Sequence, residues 1–201
     1  MLKRSFDVFF SFCGLVILSP VLMIIAIMVK TDSKGPVIYK QERVGRSGKI
    51  FRVFKFRSMK QDSDRKGHLT VGGKDPRITK TGYYLRKYKL DELPQLINVL
   101  KGEMSFVGPR PEVIKYVQLY DDNQKKVLNV RPGITDVASI KYRNENELLE
   151  NSDNPEQYYI NEIMTDKLKM NLDYINDRSF FKDIRVILNT IKAIIIRFPK
   201  K

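Results

Sequence analysis

The 201-residue sequence predicts an α+β, mostly helical protein: an N-terminal membrane helix, then a globular domain of short strands and amphipathic helices. Three observations predict it. From Val8 to Val29 no residue is charged, a run of 22, and a helix crossing the ~30 Å hydrocarbon core needs ~20 such residues. From Phe51 to Arg57 apolar and basic residues alternate, the period of a half-buried strand. Beyond residue 110, apolar residues recur at helical spacing between Pro- and Gly-marked stops.

Composition narrows the chemistry. Apolar residues make up 42% and charged residues 30%, which suits a folded chain. One Cys excludes an internal disulfide, and one Cys with one His excludes a self-contained Cys/His zinc site. Cys13 lies in the apolar run, which argues against a Cys–His nucleophile pair. What remains is carboxylate, Arg/Lys and Mg²⁺ chemistry, or binding through positive charge. The net charge of +14 is uneven: residues 1–60 hold 12 basic and 3 acidic residues, residues 61–201 hold 25 and 20. That bias is either a solvated basic surface or a site for an anionic partner: nucleic acid, a membrane surface or phosphorylated ligands.

The elements follow in order. Lys3 and Arg4 precede the apolar run, and Lys30, not a small-x-small cleavage site, ends it, so it reads as retained. Ser19-Pro20 sits mid-run. Proline removes a helical hydrogen bond and kinks the helix, and serine can satisfy the freed carbonyl. Basic residues at both flanks pull both ends to the cytoplasm. A helix that enters and returns through one leaflet satisfies these facts; a spanning helix with a tolerated proline is the alternative. Val37–Gln41 is a short strand, Gly45 and Gly48 flank a turn, and Ile50–Arg57 is a second strand that leaves Arg52, Lys55 and Arg57 near the surface. Residues 60–82, including His68, read as loop. Helices are expected at Tyr83–Lys89, Pro94–Lys101 with Gly102 as its stop, Pro111–Leu128, Pro155–Ile175 and Phe180–Phe198. The last carries Ile184, Ile187, Leu188, Ile191, Ile194 and Ile195 at helical spacing, either for core packing or for lying on anionic lipid.

Chemistry concentrates between Lys55 and Arg131. Asp91 and Glu92 directly precede a helix start, where free N–H groups favour anions. Such a pair either caps the helix, or holds Mg²⁺, or supplies a carboxylate that attacks phosphorus to form an acyl phosphate. Arg86 and Lys87 lie just upstream. Arg110 stands in Gly108-Pro109-Arg110-Pro111, where two prolines fix the backbone that presents the guanidinium. Arg131 recurs in Arg131-Pro132-Gly133. Guanidinium forks suit bidentate phosphate binding.

Five blocks carry a resemblance: Lys55-Phe56-Arg57-Ser58-Met59, Leu90 to Leu96, Asn98 to Ser105, Gly108 to Pro111, and Arg131 to Thr135. In this order and spacing the chain resembles the bacterial sugar transferases, the small monotopic polyprenyl-phosphate phosphoglycosyl transferases. The resemblance covers residues 1–140 strongly and the remainder loosely. It implies a re-entrant membrane helix over residues 1–30, broken at Ser19-Pro20. Residues 31–201 would then be a cytoplasmic catalytic domain lying on the inner (plasma) membrane of a bacterium, with amphipathic interfacial helices. It implies transfer of a sugar 1-phosphate from a UDP-sugar to undecaprenyl phosphate, with release of UMP, as the first membrane step of glycan assembly.

By the same resemblance, Asp91 is the nucleophile and a Mg²⁺ ligand, and Glu92 supports it. Lys55, Arg86 and Arg110 hold phosphate oxygens; Arg57, Pro109, Pro111 and Arg131 belong to the same substrate-binding blocks. Arg143 and Asp173 match more loosely, near the sugar nucleotide. A homodimer is allowed; no nucleic acid is expected. One departure stands out. After Thr135, where many members read Gly-Leu-Ala-Gln-Val, this chain reads Asp136-Val137-Ala138-Ser139-Ile140. Lys141 to Asp177 then holds 4 basic and 9 acidic residues. If that stretch lines the sugar pocket, it bears on the sugar's identity. A membrane-tethered nucleic-acid binder, or an assembly partner with an inert Asp-Glu pair, are the competing classes; UMP release separates them.

Overall fold

A computed structural model describes residues 2–61, 63, 69, 71–72 and 75–195. His68 and the end of the expected C-terminal helix, residues 196–198, lie outside them. The first element, α1, runs from Leu2 to Asp32 and contains Pro20. Pro20 cannot donate to the Val16 carbonyl four residues back. Ser19 Oγ donates to that carbonyl instead, at 2.7 Å. The helix is therefore not interrupted at Ser19-Pro20 as expected, because the hydroxyl replaces the bond that proline removes.

α1 is long and apolar enough to cross a membrane, and little of it is buried. Phe9, Phe12, Ile17, Met23, Ile24 and Ile27 point away from the protein. Its two ends are nevertheless tied to the rest of the chain. At the start, Lys3 Nζ reaches the Asp183 carboxylate at 2.5 Å and the Val107 carbonyl at 2.8 Å. Arg4 donates to the carbonyls of Val99 and Leu100 at 2.6 and 2.9 Å, and Asp7 accepts from the Phe106 N–H at 3.1 Å. At the far end, Ile25 and Val29 pack with Phe56 and Leu85. There Asp32 accepts from the Thr81 N–H at 2.9 Å.

Strands β1 (Ile38–Val44) and β2 (Ile50–Phe56) form an antiparallel hairpin in register from Ile38–Phe56 to Val44–Ile50. The turn carries Gly45 and Gly48 as expected, and β1 extends three residues past the expected end. Val53 packs into a cluster with Val99 and Met104, and Phe51 lies against it. Phe51 and Val53 share one face of β2 while Phe56 packs on the other, against Ile25 and Val29, so both faces of the strand are partly buried. Arg57 does not stay at the surface. Its guanidinium turns inward and donates to the carbonyls of Val29 and Ser33, at 3.1 and 2.6 Å, where α1 ends and its carbonyls lack helical partners.

Helix α2 (Lys80–Lys87) begins three residues earlier than expected, because Thr79 caps it by accepting from the Gly82 N–H at 3.0 Å. Helix α3 (Gln95–Lys101) ends on left-handed Gly102 (φ 85°), as expected. Asn98 within it is fully buried. Its Oδ1 accepts from the Phe54 N–H at 3.0 Å and its Nδ2 donates to the Arg52 carbonyl at 2.8 Å, clamping α3 along β2. A parallel pair, β3 (Ser105–Val107) with β4 (Gly133–Thr135), was not expected. Three residues are too few to show a period.

The helix expected over Pro111–Leu128 is two pieces, α4 (Ile114–Val117) and a 3₁₀ turn from Gln124 to Asn129. Asp121 and Gln124 exchange side-chain bonds with each other's backbone N–H, at 2.7 and 3.0 Å. That reciprocal cap starts a new turn rather than continuing an old one. Two short helices follow, α5 (Val137–Lys141) and α6 (Glu145–Glu150). The expected run from Pro155 is present as α7 (Pro155–Tyr158), a π-turn (Tyr159–Met164) and α8 (Thr165–Asn176). The largest core cluster joins Tyr116, Tyr120 and Val127 to Leu149, Tyr159, Ile163 and Leu168.

α9 (Phe180–Ile195) divides its apolar residues. Val186 is buried against Val107 and Tyr174, while Phe181, Leu188, Ile191 and Ile194 are exposed. Edge-to-face and tilted ring contacts run from Phe9 through Phe10 and Phe6 to Phe180 and Phe181, so the outward faces of α1 and α9 are continuous.

Candidate active site

Asp91 and Glu92 sit on a 3₁₀ turn, Leu90–Glu92, between α2 and α3. Lys89 enters it in the left-handed region (φ 57°), which reverses the chain so that both carboxyls face one cleft. The cleft encloses about 1580 Å³. It is walled by the hairpin and the Asp91 turn on one side. On the other are the Pro109–Pro111 loop, the tyrosines 116, 120 and 159, and residues 139–147.

The two carboxylates have different surroundings. Glu92 accepts from Lys55 Nζ at 3.2 Å and from both terminal nitrogens of Arg110, Nη1 at 3.1 Å. Burial opposes its ionisation, but Arg110 and Lys55 outweigh burial and hold the carboxyl well below the usual range. Asp91 is buried, and its Oδ1 has no hydrogen-bond partner. Burial pushes its carboxyl above the usual range and the Glu92 charge adds to this; Lys55, Lys89 and Arg86 oppose it. Two adjacent acids are thus pushed apart: Glu92 is a neutralised anchor, and Asp91 keeps a free oxygen.

The cations are shaped by the same cluster. Burial pulls the Lys55 ammonium down, against Glu92, and pulls the Arg86 guanidinium down, against Asp91. Glu92 raises Arg110. Arg110 is held by its backbone as well: its N–H donates to Asp136 Oδ2 at 2.8 Å. The Pro109 carbonyl accepts from the Gly133 N–H at 3.0 Å, and the Pro111 carbonyl accepts from Arg43 at 3.2 Å. The two prolines therefore sit in a loop pinned on both sides of the arginine.

Lys55, Arg57, Arg86, Asp91, Glu92, Pro109, Arg110, Pro111 and Arg143 all line the cleft. Arg57 does so while tied to the end of α1, with Nε and Nη1 buried and unpaired. Arg131 does not line it. Its Nε donates to the Gly102 carbonyl at 2.9 Å, capping the far end of α3. Asp173 is exposed on α8 and does not line it either. Ser19 and Pro20 lie mid-α1, away from the cleft.

Sequence reasoning missed Asp136, Arg43 and Glu112. Asp136 is buried and caps α5 through the Ser139 N–H while it holds Arg110. An Asp three residues before a hydroxyl residue in a short apolar stretch was a readable cap signal. Glu112 bridges Arg43 at 2.8 Å and Tyr159 at 2.5 Å; no local pattern announces contacts across 47 residues.

Among the described residues no group of three or more His, Cys, Asp or Glu could cage a metal. The unpartnered Asp91 Oδ1, in a cleft lined by Lys55, Arg86 and Arg110, does fit Mg²⁺. That ion is commonly held by one or two carboxylates together with substrate phosphates.

The family model described as bacterial sugar transferase matches residues 1–197. The chain is 38% identical over 205 residues to the galactosyl transferase CpsE of Streptococcus agalactiae, covering 96% of this chain and 42% of that protein. It is 40% identical over 195 residues to the UDP-glucose:undecaprenyl-phosphate glucose-1-phosphate transferase of Escherichia coli, covering 95% and 39%. It is 47% identical over 134 residues to a putative undecaprenyl-phosphate N-acetylgalactosaminyl 1-phosphate transferase of Bacillus subtilis, covering 67% and 71%. The chain spans about two fifths of the length of the first two.

Proposed function

This chain belongs to the bacterial sugar transferase family, and from that premise we propose that it transfers a sugar 1-phosphate from a UDP-sugar to undecaprenyl phosphate. The observation that carries the reading is the split pair. Asp91 has a free, buried carboxylate oxygen, and Glu92 is fully engaged by Lys55 and Arg110. An Asp91 oxygen attacks the sugar-bearing phosphorus; the bond to the bridging oxygen breaks and UMP leaves. A phosphate oxygen of undecaprenyl phosphate then attacks the same phosphorus, the acyl phosphate bond breaks, and Asp91 is regenerated with polyprenyl diphosphosugar as product. A covalent step splits one hard displacement into two. Arg110 and Arg86 orient phosphate oxygens and offset the charge that builds on them. Asp91 would hold Mg²⁺, which supplies further charge neutralisation when bound.

The test is a burst. UDP-sugar alone should release about one UMP per active site and leave phosphosugar on the protein, since a covalent intermediate implies ping-pong order. No UMP before the lipid is added would overturn the assignment.

Bent at Pro20 with its helical path unbroken, α1 enters and leaves by the cytoplasmic face of the inner membrane. The support is that both ends of α1 are bonded to one domain, through Lys3–Asp183 and Asp32–Thr81. Single cysteines at exposed Leu2 and Lys34, in a Cys13→Ser background, should both resist an impermeant thiol reagent in intact cells. Both should react once the membrane is opened. Labelling at position 2 alone in intact cells would mean a spanning helix.

A further inference from the structure

A second cavity, of about 240 Å³, opens on the opposite side of β3 from the cleft's Asp91–Arg110 wall and shares only Val130 with the lining of the cleft. Five basic residues line it: Lys3 and Arg4 from the first turn of α1, Arg46 from the hairpin turn, Arg131, and Arg178 from the α8–α9 connection. Asp7 is the one acidic residue among its walls, and it is engaged by the Phe106 N–H. Lys3, Arg4 and Arg131 each carry a structural bond, to Asp183, to the end of α3 and to the Gly102 carbonyl. The guanidinium groups of Arg46 and Arg178 have no hydrogen bond or ion pair with the described residues. Ser105 also lines the cavity; it is 1% exposed, and its Oγ has no hydrogen-bond partner. A buried hydroxyl without a partner is costly unless a ligand or water satisfies it.

We propose that this cavity is a second anion site, built for the phosphate of a headgroup-sized ligand and separate from the catalytic cleft. The chemistry is specific to an oxyanion: two free guanidinium forks, fixed cations behind them, and a hydroxyl donor at the floor. The position favours a phospholipid as the source. Two of the lining cations belong to the first turn of the apolar helix α1, and the exposed aromatic face of α1 and α9 begins within two turns of them. A free phosphate ester would satisfy the same groups, so the experiment separates the two.

The protein in a neutral detergent is titrated with short-chain phosphatidylglycerol, with phosphatidylcholine, and with sn-glycerol 1-phosphate. Thermal unfolding is read for wild type, for Arg46→Gln/Arg178→Gln, and for Ser105→Ala. Neither arginine has a hydrogen bond or ion pair with the described residues to lose, so the double variant should match wild type without ligand, and Ser105→Ala, which removes a buried unpaired hydroxyl, should equal or exceed it. Phosphatidylglycerol should raise the wild-type Tm saturably, more than phosphatidylcholine does. The apparent affinity should fall about tenfold or more in the double variant, the effect of losing a charge-assisted hydrogen bond. It should fall by a smaller factor in Ser105→Ala. A shift with phosphatidylglycerol alone identifies a lipid, and an equal shift with glycerol phosphate identifies a soluble phosphate ester. Cleft binding by the same ligands would shift wild type and both variants equally, and that result, or no shift at all, would overturn the proposal while leaving the catalytic reading intact.

Discussion

Asp91→Asn is expected to lower UMP release by at least ~10³-fold, about 4 kcal/mol in barrier, while the protein folds normally. An amide oxygen does not form the acyl phosphate, so the loss is chemical. The structure explains why folding is spared. Asp91 Oδ1 has no hydrogen-bond partner to lose, and the carboxyl is already disfavoured by burial and by the Glu92 charge. A neutral isostere removes that repulsion, so the Tm of Asp91→Asn should equal or exceed that of wild type. The pH dependence follows from the same cause. Attack needs the ionised form, so kcat/KM of wild type should fall on acidification through a value above the ordinary aspartate value of 3.8. Substantial turnover by purified Asp91→Asn, free of wild-type protein, would remove Asp91 from the nucleophile role.

Much of this site was legible because its parts are local. Asp91-Glu92 and Pro109-Arg110-Pro111 announce themselves through adjacent residues whose chemistry is tied to their spacing. The membrane helix was legible for the same reason: length, absence of charge and one Ser-Pro step. What escaped depends on contacts distant in sequence. Nothing near Arg57 shows that the end of α1, 24 to 28 residues upstream, will claim its guanidinium. Nothing near Arg131 shows that Gly102 will turn it away from the cleft. The parallel pair β3–β4 is too short for any period to show, yet it brings Arg110 to within bonding distance of both Glu92 and Asp136. The apolar spacing over residues 111–128 reads as one helix, but the reciprocal Asp121–Gln124 cap divides it.

Glu92→Gln is expected to act in the other sense, on folding more directly than on chemistry. Glu92 is the shared counter-charge of Lys55 and Arg110, and its side chain is 11% exposed. Removing one member of such a group leaves the others buried and uncompensated, which typically costs 3–5 kcal/mol. The Arg110 side chain is 36% exposed and keeps some solvent, so ~2–3 kcal/mol is the reasonable scale. For a chain of this size that lowers Tm by roughly 5–10 °C. The sign with pH is fixed by linkage. Glu92 has a lowered pKa in the folded state, so its contribution is present above the ordinary value of 4.5 and is lost as pH falls through the depressed folded value. The Tm gap between wild type and Glu92→Gln should therefore be full at neutral pH and should narrow only below 4.5. The variant should also move the acid limb of kcat/KM to lower pH. The Glu92 charge that helps raise Asp91 is gone, while Lys55 and Arg86 still favour the Asp91 carboxylate. A variant as stable as wild type at neutral pH would mean that Lys55 and Arg110 do not depend on Glu92 for charge compensation. An acid limb that stays in place would separate Glu92 from the ionisation of Asp91.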